Sequence, residues 1–188
     1  MTPFEHLSVL ISIVLGLGLA HMLTTLHELI QARARVRVYW LSIVWFVLIF
    51  ISLIEWWWAS FALRTTLKWN FFYFLFILLS PISMYLAAAF VLPTDSERDD
   101  RIIDLREYYF SNSAWFFGIL AVSPALDAIR RALQAGSFFA SGAASNAISA
   151  VLLTSVAVVK RPWYHVLITV IVGGLFLSFI VSSALELR

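Results

Sequence analysis

Long runs of apolar residues recur along this chain, separated by short segments that carry most of its charge. A helix that spans a bilayer requires about 20 mostly apolar residues, and six runs approach or exceed that length. They cover residues 7–29, 39–63, 71–92, 108–126, 138–159 and 163–185. The pattern predicts an all-α integral membrane protein, a single domain built as a bundle of about six transmembrane helices.

The fourth run is the weakest of the six. Ser111, Asn112 and Ser113 interrupt its start, and Pro124 is expected to kink or end the helix because proline lacks a backbone N–H. A bundle of five spans, in which this segment does not fully cross, is therefore the main alternative.

The segment before the fourth run, "TDSERDDRIIDLREYYF", is the only strongly charged part of the chain. In helical geometry Ile102, Leu105 and Tyr109 fall on one side, whereas aspartate and arginine residues occupy the other sides. We therefore predict a short amphipathic surface helix over residues 95–107 that continues into the fourth span.

The composition favours lipid as the solvent of this chain. Hydrophobic residues make up 62% and charged residues 13%, against about 45–50% and 25% in soluble domains. The net charge of +2 comes from basic residues in short loops, so we expect the lipid bilayer, and no nucleic acid, as the partner. Cysteine is absent, which excludes disulfides and thiolate metal sites. The first run is too long for a signal peptide, and we expect it to remain in the mature protein.

The loops predict an orientation. The loops on one side of a six-span arrangement carry eight Lys and Arg residues and those on the other side carry five. The positive-inside rule places the richer side, which includes Arg33, Arg35 and Arg37, in the cytoplasm. Both termini are then expected on the periplasmic side.

The first span carries the most unusual polar pattern. His21, Thr25 and Glu28 follow Gly18 at helical spacing and form one stripe in the half of the span nearer the arginines. Ionisable groups are costly in hydrocarbon and usually face the bundle interior. The stripe is a candidate polar path or ligand site. Its structural alternatives are an ion pair of Glu28 with a nearby arginine, and a neutral His21 bonded to a backbone carbonyl.

Two further pairs of residues are candidates for chemistry. His27 and His165 lie at similar depths in the first and last spans, so facing helices would let them bind a metal or haem, or titrate together. Glu55 and His6 lie near the opposite membrane surface and would form an ion pair or bind a cation if their helices were neighbours. Asp127 is four residues before Arg131, which predicts a local helix pair.

Small residues predict where helices pack. In the fifth run they recur at four-residue spacing, which suits close contact between helices and self-association, although a serine-rich face would also suit a water path. These residues are Ala140, Ala144, Ser141, Ser145 and Ser149.

No catalytic motif is found. "HELIQ" departs from the zinc-protease HExxH because Gln31 stands where the second histidine is needed. The opening "LSVLISIVLGLGLAHMLTTLHELIQARARVRVYW" resembles the first two spans of uncharacterised small multi-spanning proteins of bacterial inner membranes. The resemblance implies an inner-membrane location and no activity.

The leading functional hypothesis is a small homo-oligomeric passive channel or transporter that uses the stripe on the first helix. The alternative is an accessory or scaffold subunit of a larger membrane complex, holding haem, quinone or pigment. A membrane enzyme is a third hypothesis. We expect no resident metal or catalytic residue, and no cofactor in the leading hypothesis.

Overall fold

The computed structural model describes residues 3–65, 70–94, 102–135 and 142–185, and nearly all of them are helical. The helices are α1 (Pro3–Gln31), α2 (Trp40–Ala59), α3 (Phe71–Phe90), α4 (Leu105–Leu120), α5 (Val122–Ala135), α6 (Ala143–Val158) and α7 (Pro162–Leu185). Short 3-10 turns cover Arg33–Arg35 and Ser60–Thr65, and two-residue strands β1 (Val36–Arg37) and β2 (Ile103–Asp104) precede α2 and α4. The predicted all-helical class is confirmed.

Four helical segments are long and apolar enough to cross a membrane. They are Phe4–Gln31, Trp40–Arg64, Phe71–Phe90 and Leu105–Gln134. The last of these joins α4 to α5 through Ala121, whose backbone angles stay α-helical (φ −65°, ψ −20°), so the described chain forms six helical segments. The described apolar parts of the other two segments, Ala143–Val158 and Pro162–Ser178, are shorter.

The fourth segment continues well past Pro124, to Ala135, although the sequence predicts a span that ends near residue 126. The Ala121 carbonyl accepts a hydrogen bond from the Ala125 N–H at 3.2 Å, so the chain keeps a helical course from α4 into α5. Pro124 lies in the first turn of α5 and lacks only its own backbone N–H. This one missing donor does not end the segment.

The predicted amphipathic helix over residues 95–107 is wrong at residues 102–104, whereas residues 105–107 are helical as the first turn of α4. Ile103 and Asp104 form β2, which pairs in parallel with Val36 and Arg37 of β1. Helix α4 begins only at Leu105, because the Asp104 side chain accepts hydrogen bonds from the first free backbone N–H groups of α4. Residues 95–101 lie outside the described part of the chain.

Helix α3 is central, since it packs against α1, α2, α4 and α5. Helices α5 and α6 form a hairpin that also contacts α4, and α7 packs on α6 and α2. The ends of the bundle are marked by contacts between distant residues. Tyr109 of α4 meets His165 of α7 at one end, which also holds β1 and β2 and is called the Arg-rich end. Tyr73 of α3 meets Gln134 of α5 at the other, the far end.

Helix α1 buries a single narrow seam. The buried positions recur at alternating steps of about three and four residues, and they are Leu7, Ile11, Leu15, Gly18, Met22, Thr25 and Leu29. This spacing is typical of left-handed helix packing. A Cβ added at Gly18 would lie 3.5 Å from Leu53 of α2 and 3.6 Å from Tyr85 of α3, so a methyl group would just fit there and any larger side chain would meet both neighbours.

Candidate functional site

The predicted stripe of α1 faces the bundle, but its members differ in environment. Thr25 is 3% exposed and belongs to the packed seam, whereas His21 and Glu28 are half-buried at its edge. Neither of the two surface depressions described below is lined by a residue of α1. The stripe is therefore a polar edge of a packed interface in this structure.

His21 is the exceptional member of this stripe. Its Nε2 atom is buried, and it has no hydrogen-bond partner among the described residues. His21 lies ten residues before the end of α1 at Gln31, which is about 15 Å at the helical rise. Leaving such a group unpaired costs about 1–3 kcal/mol. The structure thus leaves one buried imidazole nitrogen without a partner among the described residues.

His27 and His165 are not brought together. His27 is exposed on α1, where its Nε2 atom accepts a hydrogen bond from Gln31 Nε2 at 2.8 Å. His165 is fully buried at the Arg-rich end between α4 and α7. The predicted pairing of these histidines therefore has no support in their positions.

Both ring nitrogens of His165 have protein partners. The Val159 carbonyl, 2.8 Å from Nε2, can only accept, so Nε2 carries the proton. Nδ1 is then an acceptor and receives a hydrogen bond from the Tyr109 hydroxyl at 3.0 Å. No lone pair remains for a metal or haem iron, and His165 is thus a structural residue that ties α4 to α7.

Aromatic rings enclose this hydrogen bond. Phe110 and Phe117 meet the His165 ring edge-on, with ring centroids 5.0 and 5.6 Å away. Tyr39 meets Tyr109 edge-on, at 5.5 Å between ring centroids.

Two further hydrogen bonds connect His165 to α2. The Thr169 hydroxyl donates to the His165 carbonyl at 2.6 Å, and it accepts a hydrogen bond from Trp45 Nε1 at 3.0 Å. Trp45 lies on α2, so α2, α4 and α7 are joined through one buried network. Sequence reasoning missed Tyr109 and Trp45 as partners, because no local spacing relates residues on three separate helices.

At the far end, Glu55 and His6 show no hydrogen bond or ion pair with each other within the described ranges. His6 is exposed at the start of α1. Glu55 is half-buried and lies within electrostatic range of Asp127 and Arg131 instead. The neighbour that sequence reasoning predicted for Glu55 is thus replaced by charged residues of α5.

Asp127 is the centre of a polar network. Arg131 Nε donates to its carboxylate at 2.6 Å, which confirms the predicted local pair, and Arg130 makes a second ion pair with it. Asn146 of α6 donates to the same carboxylate at 2.7 Å. Arg130 also donates to Gln134, 3.1 Å away. The network joins α5 to α6, and the contribution of Asn146 was missed because it lies on another helix.

The small residues of the fifth run have local roles where they are described. The Ser145 hydroxyl donates to the Gly142 carbonyl, and the Ser149 hydroxyl donates to the Ser145 carbonyl. Ala144 is half-buried, and Ala140 and Ser141 lie outside the described residues. The hydrogen bonds of Ser145 and Ser149 lie within α6 and its first turn and do not test self-association, which stays a prediction.

In the described ranges, no cluster of three or more His, Asp or Glu side chains that could bind a metal ion occurs. The surface formed by the described residues includes depressions at two places. One, of about 430 Å³, lies at the Arg-rich end, and another of similar volume is an apolar groove between α5 and α6.

Comparison with known proteins adds no family to this picture. No protein-family model, no curated protein and no solved structure matches the chain. The conclusions below therefore rest on the chemistry of its own residues.

Proposed function

We propose that this protein moves a proton or a small polar solute across a membrane, and that His21 is the residue that the solute meets. The observation that carries the proposal is the buried Nε2 atom of His21, which has no partner among the described residues. The four helices long and apolar enough to span a bilayer support the membrane setting.

The physical argument concerns what such a nitrogen requires. In hydrocarbon, polar groups are nearly always satisfied by neighbouring protein groups, and ionisable residues there are mostly functional. A permanent protein partner would be expected if His21 served only to join helices, as His165 does through Tyr109 and Val159. A partner that comes and goes, such as water, a proton or a solute hydroxyl, accounts for a donor or acceptor that the fold leaves open.

The rest of the stripe supports an approach from the Arg-rich end. Thr25 lies one turn from His21 and Glu28 a further turn on, and together they lead towards Gln31 at the end of α1. Towards the far end the same seam is apolar, with Leu15 and Ile11 buried. His21 would therefore be the innermost polar group of this path.

Proteoliposome flux tests the proposal. The purified full-length chain is reconstituted with a pH-sensitive dye or a panel of small polar solutes, and His21→Leu is compared with the parent. We expect flux to fall to the level of protein-free vesicles. Stability in detergent should be unchanged or higher by up to about 1–3 kcal/mol, because an unsatisfied polar group is removed.

His27→Leu is the matched control, since it makes the same chemical change on the same helix at an exposed position. It should leave flux unchanged. Equal flux through the parent and His21→Leu would contradict the proposal. A loss of stability in His21→Leu would also contradict it, because it would show that the imidazole has a fixed structural partner.

The accessory-subunit hypothesis also depends on the Nε2 atom of His21. A haem iron needs a free imidazole nitrogen as ligand, and His165 has none, whereas His21 Nε2 is free among the described residues. A Soret absorption band in the purified protein that disappears in His21→Leu would favour this second function over transport.

We further propose a bacterial inner membrane, with the Arg-rich end in the cytoplasm and both termini in the periplasm. The supporting observation is the excess of basic residues at that end, where Arg33, Arg35 and Arg37 are clustered. Reporter domains fused to each terminus should be active only on the periplasmic side, and cytoplasmic activity would reverse the assignment.

A further inference from the structure

The depression at the Arg-rich end lies between the first two turns of α4 and the connection from α6 to α7. It has a volume of about 430 Å³, and its lining is mixed in charge and polarity. The lining residues are Asp104, Arg106, Glu107, Phe110, Ser111 and Lys160.

Three of these charges are available to a ligand. Arg106, Glu107 and Lys160 are exposed, and none of them forms an ion pair with another described residue. Asp104 is already committed, because its carboxylate caps α4 and lies 3.9 Å from Arg37. The site therefore offers two cations and one carboxylate that form no ion pair with the part of the chain that the structure describes.

In the membrane setting proposed above, the depression would lie at the level of the lipid headgroups. Trp40 at the start of α2 and Trp163 at the start of α7 are 51% and 61% exposed at the same end of the bundle, and exposed tryptophans concentrate at the membrane–water interface. Phe110 contributes an apolar wall on the side of the bundle interior. A ligand held here would have its polar part near water and its apolar part along the helices.

We propose that this depression binds the headgroup of a phospholipid that carries a phosphodiester and a primary ammonium group. Arg106 and Lys160 contact the phosphate oxygens, as guanidinium and ammonium groups commonly do. Glu107 accepts hydrogen bonds from the ammonium group of the lipid. The inference is independent of the transport function proposed above, since it uses none of the residues of α1.

The carboxylate makes the site selective between two common lipids. A primary ammonium group presents three N–H donors to Glu107, whereas the trimethylammonium group of a choline lipid presents none. Both lipids offer the same phosphate to Arg106 and Lys160. The preference should therefore depend on Glu107, and the overall affinity on the two cations.

Native mass spectrometry of the delipidated full-length protein tests this assignment. Phosphatidylethanolamine and phosphatidylcholine with identical acyl chains are added at equal concentration, and the retained lipid is measured. We expect the ethanolamine lipid to be retained about two- to fivefold more strongly, the range for one exposed charge pair. Glu107→Gln should equalise the two lipids, and Arg106→Ala and Lys160→Ala should weaken both.

Arg161→Ala is the control, because Arg161 is an exposed cation next to Lys160 that does not line the depression. It should leave retention of both lipids unchanged. Equal retention of the two lipids by the parent would overturn the proposal, as would a preference that survives in Glu107→Gln. Displacement of the bound lipid by an equal concentration of water-soluble glycerophosphoethanolamine would show that the site takes a soluble compound and would overturn the lipid assignment.

Discussion

Replacing Tyr109 by phenylalanine removes one hydroxyl from the buried link between α4 and α7. His165 is 0% exposed, so its Nδ1 atom would lose the Tyr109 donor in a place that water does not reach. A change of tautomer does not help, because the Val159 carbonyl would then lose its own donor. Tyr109→Phe therefore leaves one buried polar atom unsatisfied in either arrangement.

Two magnitudes bound the cost of this substitution. An unsatisfied buried group costs about 1–3 kcal/mol, whereas hydrogen bonds between membrane helices contribute about 0.6 kcal/mol on average and at most about 1.7. The full burial of His165 favours the upper part of the second range. We expect Tyr109→Phe to lower the free energy of unfolding by about 1–2 kcal/mol.

Tyr164→Phe is the matched control for this measurement. The Tyr164 hydroxyl donates to Ser155 at 2.7 Å, but Ser155 keeps its own hydrogen bond to the Leu152 carbonyl at 2.6 Å when the tyrosine hydroxyl is removed. Its cost should be no more than about 0.5 kcal/mol, the lower limit for a hydrogen bond. Reversible unfolding in mixed micelles measures both variants, and equal effects would refute the reasoning about His165.

Two more substitutions test the packing of the helices. Asp127→Asn removes the charge that holds two arginines, and because these are 22% and 38% exposed, we expect a loss of about 1–3 kcal/mol, below the 3–5 of a fully buried pair. Unfolding measurements should show this loss, and unchanged stability would mean that water already satisfies the arginines. Gly18→Leu should destabilise by about 1–3 kcal/mol because the added side chain meets Leu53. Gly16→Leu enters open space and should cost less than about 0.5 kcal/mol, so similar losses at both positions would contradict the packing described for α1.

Local periodicity predicted the helices well, because apolar runs long enough to span a bilayer have few other structures open to them. It failed at Asp104, where a side chain that caps the next helix was taken as part of an amphipathic helix. Both structures fit the same charged composition. Only the pairing of β2 with β1 decides between them, and its partner strand lies two helices away along the chain.

In the candidate sites, too, local spacing predicted contacts within one helix but not contacts between helices. The pair of Asp127 with Arg131 was predictable because both residues share one helix face. The donors that complete the site, such as Asn146, come from another helix and depend on packing. His21 was identified as unusual from its depth alone, whereas the open Nε2 atom depends on every side chain around it.

The short strand pair has a consequence for the insertion of the chain. Val36 and Ile103 are neighbours in the pair, and the whole of α2 and α3 lies between them in the sequence. Val36 and Ile103 lie on the same side of a membrane only if both α2 and α3 cross it or neither helix does. A chain in which one of the two helices fails to insert leaves the strands on opposite sides of the bilayer. In a chain that spans a membrane as proposed, the strand pair can therefore form only when α2 and α3 have made an even number of crossings between them.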